Sequence, residues 1–156
     1  DPHGQQPRSV AASWAKIVFY FICAWLDWLA RLQPARVRST CILCDRTFDD
    51  LLVDPRRYRV QRSNALVRLL RRWLPQPDLT FVLDAPTAVI QQRKAEVDVA
   101  ETERQRAVLR ELAARDPRWQ VVSTDAAPET VARTIATRVI QFLAARQATR
   151  WPRQRL

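Results

Sequence analysis

Residues 40–59 concentrate acidic and basic side chains in a pattern that is suited to binding phosphate. A short apolar run at residues 41–44 ends in an adjacent acid–base pair, Asp45 and Arg46. A run of this length is too short for a helix and indicates a buried strand. Ligands of open α/β sheets bind at the carboxyl ends of the strands, so the pair is expected to lie where a metal–nucleotide complex would bind.

The residues that follow this pair add more charge than a hydrophobic core can hold. They are Asp49, Asp50, Asp54, Arg56, Arg57, Tyr58 and Arg59. A surface loop of mutually paired charges is the alternative interpretation, because structural ion-pair networks are common. Charge alone does not separate a binding pocket from such a loop.

Three short apolar runs predict the strands that must position these side chains, at residues 41–44, residues 79–83 and Trp119–Ser123. Helical patterns alternate with them. The predicted helices cover residues 13–32 and 63–74 and begin at Pro86 and Pro128. Strands that alternate with helices imply a parallel sheet, so the predicted fold class is α/β, a three-layer domain with helices on both faces of the sheet. An all-helical basic binding module is the competing class.

Length and charge limit the choice of function further. The chain has 156 residues, which fits a single domain over residues 1–156, with a basic tail at residues 147–156. Its formal net charge of +10 favours anionic partners. A basic nucleic-acid-binding module is therefore an alternative, but no zinc-finger, RNP or helix-turn-helix pattern supports a specific nucleic-acid partner.

Cysteines and apolar segments give no further site. The three cysteines argue against a disulfide framework. Cys41 and Cys44 have the spacing of a redox or zinc motif, but small buried hydrophobic residues are the preferred interpretation. Residues 17–26 are uncharged over a stretch shorter than the roughly 20 residues of a membrane span, so no transmembrane segment is predicted. A core helix is expected there, with a membrane-surface helix as the alternative.

Several segments in order resemble the later part of a thymidylate kinase-like phosphotransferase. They are Asp45-Arg46 after a strand, the decapeptide PDLTFVLDAP at residues 77–86 and QRKAE at residues 92–96. The segment DDLLVDPRRYR at residues 49–59 is similar to thymidylate kinase relatives among bacterial polysaccharide-biosynthesis proteins. The resemblance extends from about Ala11 to about Arg146.

The resemblance implies a kinase that transfers the γ-phosphoryl group of ATP to a nucleoside monophosphate with Mg²⁺ as cofactor. It implies that Asp45 lies near the Mg²⁺ ion, through water, and that Arg46 contacts the transferred or acceptor phosphate. Guanidinium geometry suits the charge that is spread over such a transition state. Arg93 and Lys94 correspond to the lid over ATP, which makes them catalytic candidates, while Arg104 and Arg106 are open alternatives for that role.

The acceptor and adenine sites are also implied by the resemblance. Substrate-binding candidates are Asp50, Asp54, Arg57 and Arg59. Arg93, Asp125 and Pro128 are nucleotide-binding candidates, although Pro128 is equally explained as a helix-start residue. The first candidate acceptor is dTMP. Another nucleotide, or another phosphate acceptor of polysaccharide metabolism, is the alternative, because Thr47-Phe48 and the charges after it depart from the usual family pattern.

The family's glycine-rich phosphate loop has no counterpart in this sequence, which contains a single glycine, Gly4. We therefore expect the chain to be the carboxyl-terminal portion of a thymidylate kinase-like domain of the P-loop kinase type that lacks the first strands. Alone it is expected to be inactive. The parent is expected to be cytoplasmic and to be able to form a homodimer. A non-catalytic relative that keeps the fold is the alternative.

Overall fold

A computed structural model describes residues 9–61, 64–93 and 98–150. The chain divides into two compact units, Asp1–Gln76 and Pro77–Leu156. The described residues form six helices and two strands, with all of the strands in the second unit. Ser63 and Lys94 lie outside the described residues, as do residues 151–156 of the predicted tail.

The first unit begins with a long helix, α1, which covers Val10–Val37. Ser9 caps its start, where the Oγ atom accepts a hydrogen bond from the Ala12 N–H at 3.4 Å. A π-helical turn at Trp28–Leu32 interrupts the α-helix. The helix was predicted to end before Pro34, and that boundary is wrong. The wider hydrogen-bonding pattern of the π-turn lets the chain pass a proline, which has no N–H to donate.

Helix α1 leaves a large apolar surface exposed and buries chiefly Ser13 and Ile17. By length and composition it is long and apolar enough to cross a membrane, and 11% of its most apolar window is buried within the structure. A single helix of this kind near the amino terminus does not establish a transmembrane segment, because signal sequences and some core helices meet the same criteria.

The strand predicted at residues 41–44 is wrong. These residues have no regular secondary structure, and Leu43 is 90% exposed. The predicted burial of Cys41 and Cys44 is also wrong, since both are exposed. A buried parallel strand needs a neighbouring strand for its backbone hydrogen bonds, and the described part of the first unit contains none.

Two short helices complete the first unit, α2 at Asp50–Val53 and α3 at Asn64–Arg71. Helix α3 contacts both α1 and α2. The core of the unit consists of buried aliphatic residues from these helices and the segments between them: Ile17, Leu51, Leu52, Val53, Val60, Val67 and Leu74. Burial of the α2 apolar residues fixes the charged turns on either side of that helix.

The second unit is built on a parallel pair of strands, β1 at Thr80–Asp84 and β2 at Trp119–Ser123. Their register pairs Thr80 with Trp119 and Asp84 with Ser123. The predicted parallel pairing of these two segments is therefore confirmed, and the described part of the chain is α/β. Buried side chains of the unit include Val82, Ala85, Trp119 and Val122.

Three helices complete the second unit: α4 at Thr87–Arg93, α5 at Val99–Arg115 and α6 at Pro128–Arg150. Helix α5 contacts both strands, and α6 contacts β2. The Asp98 carboxylate caps α5 by accepting the Glu101 N–H at 2.6 Å. Helix α6 begins at Pro128 as predicted and extends through the first residues of the predicted basic tail. The three-layer arrangement and the single domain remain predictions.

Candidate functional site

Asp45 and Arg46 form a bend immediately before α2. Both are exposed, and Arg46 has a left-handed backbone with φ of 70°. A non-glycine residue in this conformation carries a steric cost, and such residues cluster at functional sites. The bend directs the Arg46 guanidinium to Asp50, where Nη1 donates to Oδ2 at 3.1 Å. The structure thus brings two predicted site residues, Arg46 and Asp50, into direct contact.

Asp50 accepts a second hydrogen bond, from the Tyr58 hydroxyl at 3.5 Å. Burial raises the pKa of Asp50 above its ordinary value, although the hydrogen bond from Arg46 opposes this. Burial together with the negative charge of Asp50 raises the pKa of Tyr58. Burial lowers the pKa of Arg46, but the hydrogen bond and charge of Asp50 outweigh it, so the net shift is upward. These three groups form one coupled cluster.

The turn after α2 holds the other predicted substrate residues. Asp54 is buried and its Oδ1 accepts the Arg57 N–H at 3.2 Å, so its carboxylate stabilises the turn itself. The Arg57 side chain is exposed. Arg59 has φ of 53°, and its Nε atom is buried with no hydrogen-bond partner among the described residues. Arg59 therefore combines an unfavourable backbone conformation with a buried side-chain donor that lacks a hydrogen bond within the described residues.

Sequence reasoning missed the interactions that hold this turn in place. The Lys16 Nζ atom on α1 donates to the Tyr58 carbonyl at 2.6 Å, and the Ser13 Oγ accepts the Gln61 N–H at 3.0 Å. The Tyr20 and Tyr58 rings meet edge to face with centroids 5.5 Å apart. Lys16 was the informative signal, because it is the single charge in the apolar first half of α1.

The sequence also did not predict a buried ion pair in the first unit. Asp49 is 5% exposed, and one of its oxygens pairs with the Arg71 Nε atom on α3. The other oxygen accepts a hydrogen bond from the Thr47 hydroxyl at 3.3 Å. Asp49 is therefore paired with a positive charge inside the unit, and this ion pair links the start of α2 to α3.

In the second unit, Asp84 at the end of β1 binds two arginines of α5. Arg106 donates through Nε to Oδ1 at 2.8 Å, and Arg110 donates through Nη2 to Oδ2 at 2.5 Å. The hydrogen bond from Arg106 lowers the pKa of Asp84, against an opposing effect of burial and with help from Arg110. The same hydrogen bond raises the pKa of Arg106. Asp84 was not among the predicted site residues.

Arg93 and the segment that contains Asp125 meet in this unit. The Arg93 Nη2 atom donates to the Thr124 carbonyl at 3.0 Å. Thr124 is held in turn, because its N–H donates to the Asp84 carbonyl at 2.8 Å. Asp125 is exposed next to Thr124 and accepts a hydrogen bond from the Ser123 hydroxyl at 3.3 Å. Pro128 is exposed at the first residue of α6.

The two alternative cations, Arg104 and Arg106, are both engaged by carboxylates. Arg104 donates through Nε to the buried Glu101 at 2.9 Å. Arg106 binds Asp84 as described above. Arg93 is exposed and keeps more of its guanidinium available than either of them.

Metal binding by protein side chains alone has no support in the described residues, which contain no group of three or more His, Cys, Asp or Glu side chains able to hold an ion. Mg²⁺ is commonly bound by one or two carboxylates together with substrate phosphates and water. Asp45 offers one exposed carboxylate, which fits this mode of Mg²⁺ binding. One carboxylate does not fit a site built from protein ligands alone.

Comparison with known proteins gives one informative relative. The chain is 33% identical over 129 residues to a thymidylate kinase from Thermomicrobium roseum. The match supports a thymidylate kinase-like relationship. It covers 72% of this chain and 60% of that relative, so the chain spans less than two thirds of the length of the thymidylate kinase. No protein-family model matches the chain.

Proposed function

We propose that this chain belongs to a kinase that transfers the γ-phosphoryl group of ATP to a nucleoside monophosphate, with dTMP as the first candidate acceptor. The observation that carries the proposal is the similarity to the thymidylate kinase of Thermomicrobium roseum over 72% of the chain. Phosphoryl transfer requires positioned positive charge around the transferring group more than covalent help from the protein. Both units contain arginines that neighbouring carboxylates hold in defined orientations.

In the first unit, we assign Arg46 to the phosphate that is transferred or accepted. Its support is the left-handed backbone at φ of 70° and the contact of one nitrogen with Asp50 at 3.1 Å, which orients a guanidinium that remains half-exposed. Asp45 is assigned to Mg²⁺ through water, since Mg²⁺ keeps several of its waters when it binds nucleotides. When bound, Mg²⁺ supplies neutralisation of phosphate charge.

Substrate contacts in the same unit are assigned to Asp50, Arg57 and Arg59. The buried Nε atom of Arg59 supports its role, because a partner from a bound acceptor would satisfy it. Asp54 already accepts the Arg57 N–H, so its proposed part is to shape the turn.

In the second unit, Arg93 and Asp125 are assigned to the nucleotide. Their support is the hydrogen bond from Arg93 to the Thr124 carbonyl beside Asp125. Pro128 is assigned to the same nucleotide-binding region. Lys94 is included in the proposal because of the sequence resemblance alone. A three-layer P-loop kinase fold, a cytoplasmic location and a homodimer complete the proposal for the whole protein.

We further propose that these 156 residues alone do not catalyse transfer. The sequence has no Gly-x-x-x-x-Gly-Lys-Ser/Thr segment to cradle the phosphates of ATP. If residues encoded upstream in the same frame contain such a segment, a form extended by them is expected to catalyse the transfer.

The test is ADP formation from ATP, Mg²⁺ and dTMP by the 156-residue chain and by the extended form. The extended form is expected to be active, and Arg46→Ala in it should reduce turnover by a factor of about 10² or more, as does loss of a donor to transition-state charge. Arg72→Ala, which removes an exposed arginine of the same unit, is the matched control. An inactive extended form rejects the kinase, while near-normal turnover of Arg46→Ala rejects only the role of Arg46.

A further inference from the structure

A single carboxylate, Asp84, organises two arginines where β1 ends. Its side chain is 12% exposed and binds both Arg106 and Arg110. These arginines are four residues apart on α5 and so lie on the same face of the helix, one turn after the other. The shared carboxylate therefore fixes the orientation of two guanidiniums that would otherwise repel each other.

Four of the five N–H donors of Arg106 are used within the protein. Its Nε and Nη2 atoms both bind Asp84, at 2.8 and 3.4 Å. Its Nη1 atom donates to the Thr87 hydroxyl at 2.7 Å and to Glu103 at 3.2 Å. With one N–H left and a side chain that is 13% exposed, Arg106 acts as a brace between α5 and the start of α4.

Arg110 differs in its exposure and in its remaining donor. Its Nε and Nη2 atoms bind Asp84 Oδ2 at 3.1 and 2.5 Å. The Nη1 atom has no partner within residues 9–61, 64–93 and 98–150, and the side chain is 54% exposed. A guanidinium held along one edge with its other nitrogen open to solvent is arranged to bind a phosphate oxygen.

We propose that Asp84 is a positioning residue that holds Arg110 as a donor to the polyphosphate chain of the phosphoryl donor. The inference rests on the proposed function for the identity of the natural ligand. The test of polyphosphate binding at Arg110 does not depend on whether the protein is a kinase. Asp84 acts through Arg110, and Arg106 keeps the Asp84 carboxylate in place.

The charge of Asp84 makes the direction of the change in anion affinity informative when this residue is replaced. Asp84 is negatively charged, so simple Coulomb interaction requires that its removal strengthen the binding of an anion. A positioning role requires the opposite, because Arg110 loses its fixed orientation when Asp84 is replaced. The direction of the change in affinity therefore separates the two explanations.

The experiment is isothermal titration of the full chain with inorganic tripolyphosphate at low ionic strength. Asp84→Asn and Arg110→Gln are each expected to weaken binding by about fivefold, the scale of one exposed charge pair. The double variant should bind as Arg110→Gln does, because both substitutions remove the same interaction. Asp78→Asn is the matched control, since it removes a half-exposed carboxylate of the same unit that pairs with Arg146 at 3.5 Å. Its affinity should be unchanged or slightly higher.

Three results overturn the proposal: no tripolyphosphate binding by the wild-type chain, equal or tighter binding by Asp84→Asn, or independent losses in the double variant. If circular dichroism shows that Asp84→Asn does not fold, Arg110→Gln decides, and unchanged affinity in that variant rejects the proposal. If the predicted affinities are found but the extended protein transfers no phosphoryl group, the kinase proposal alone fails.

Discussion

Single side chains of this protein are held mainly by pairs of opposite charge, and one buried pair has a measurable role. The Asp49 carboxylate lies inside the first unit and is paired with Arg71 from α3. When one partner of a buried pair is removed, the other is left as an uncompensated charge. The stability of the first unit should therefore depend on Arg71 more than on its exposed neighbours.

We expect Arg71→Leu to lower the free energy of unfolding by about 3 kcal/mol, because the buried Asp49 carboxyl group would lose its positively charged partner. The double variant Asp49→Asn/Arg71→Leu should recover much of that loss. Urea unfolding followed by tryptophan fluorescence measures both values. Arg72→Leu is the control, since it removes an exposed arginine from the adjacent position. If Arg71→Leu and Arg72→Leu unfold at the same urea concentration, the pair does not stabilise the unit.

The sequence identified Arg46 and Asp50 as neighbours in one charged segment, and the structure joins them directly. The sequence did not predict that Asp84 would bind Arg106 and Arg110. Partners so far apart along the chain depend on how α5 crosses the strand pair. That crossing follows from packing between elements, which a pattern along one element does not encode.

At the scale of elements, local pattern predicted β2 and the start of α6 correctly and failed at residues 41–44. Residues 41–44 and β2 are both short and apolar, with a composition that is typical of strands. The difference is the neighbour: β2 has β1 beside it, whereas residues 41–44 have no strand beside them in the described part of their unit. Strand propensity measures how well a residue fits a sheet that already exists.

The thiols of Cys41 and Cys44 provide a direct test of this difference. Both are exposed, while Cys23 is partly buried on α1. Brief treatment with iodoacetamide should alkylate Cys41 and Cys44 first and Cys23 more slowly, as read by peptide mass spectrometry. The unfolded chain in urea is the reference, in which all three should react alike. If both Cys41 and Cys44 are protected from alkylation in the native chain, the result would instead support a buried strand at residues 41–44.

At the scale of the whole molecule, association depends on an apolar ridge that the first unit exposes along α1. It consists of side chains at helical spacing that are each 41–60% exposed: Trp14, Val18, Ile22, Leu26 and Leu29. Contiguous apolar surface of this kind marks a site of association or aggregation. We therefore expect the isolated chain to self-associate in a concentration-dependent manner.

Replacing Ile22 and Leu26 together by Gln should shift the chain toward monomer, because these two side chains lie at the middle of the ridge. Sedimentation velocity over a range of protein concentrations measures the shift. Ile140→Gln is the matched control: it removes an apolar side chain that is 66% exposed on α6, away from α1 in sequence. A monomeric wild-type chain, or equal effects of the two substitutions, contradicts a role for the ridge in association.

The pairing of Thr80 with Trp119 has a consequence for the order in which the second unit folds. Two parallel strands cannot be joined by a tight turn, so β1 and β2 meet only after the intervening chain, including α4 and α5, has folded back across them. Closing so long a loop delays the pairing until late in folding. The contacts of Asp84 with α5 connect the same elements, so a partly folded unit does not retain them: they form and are lost together with the sheet.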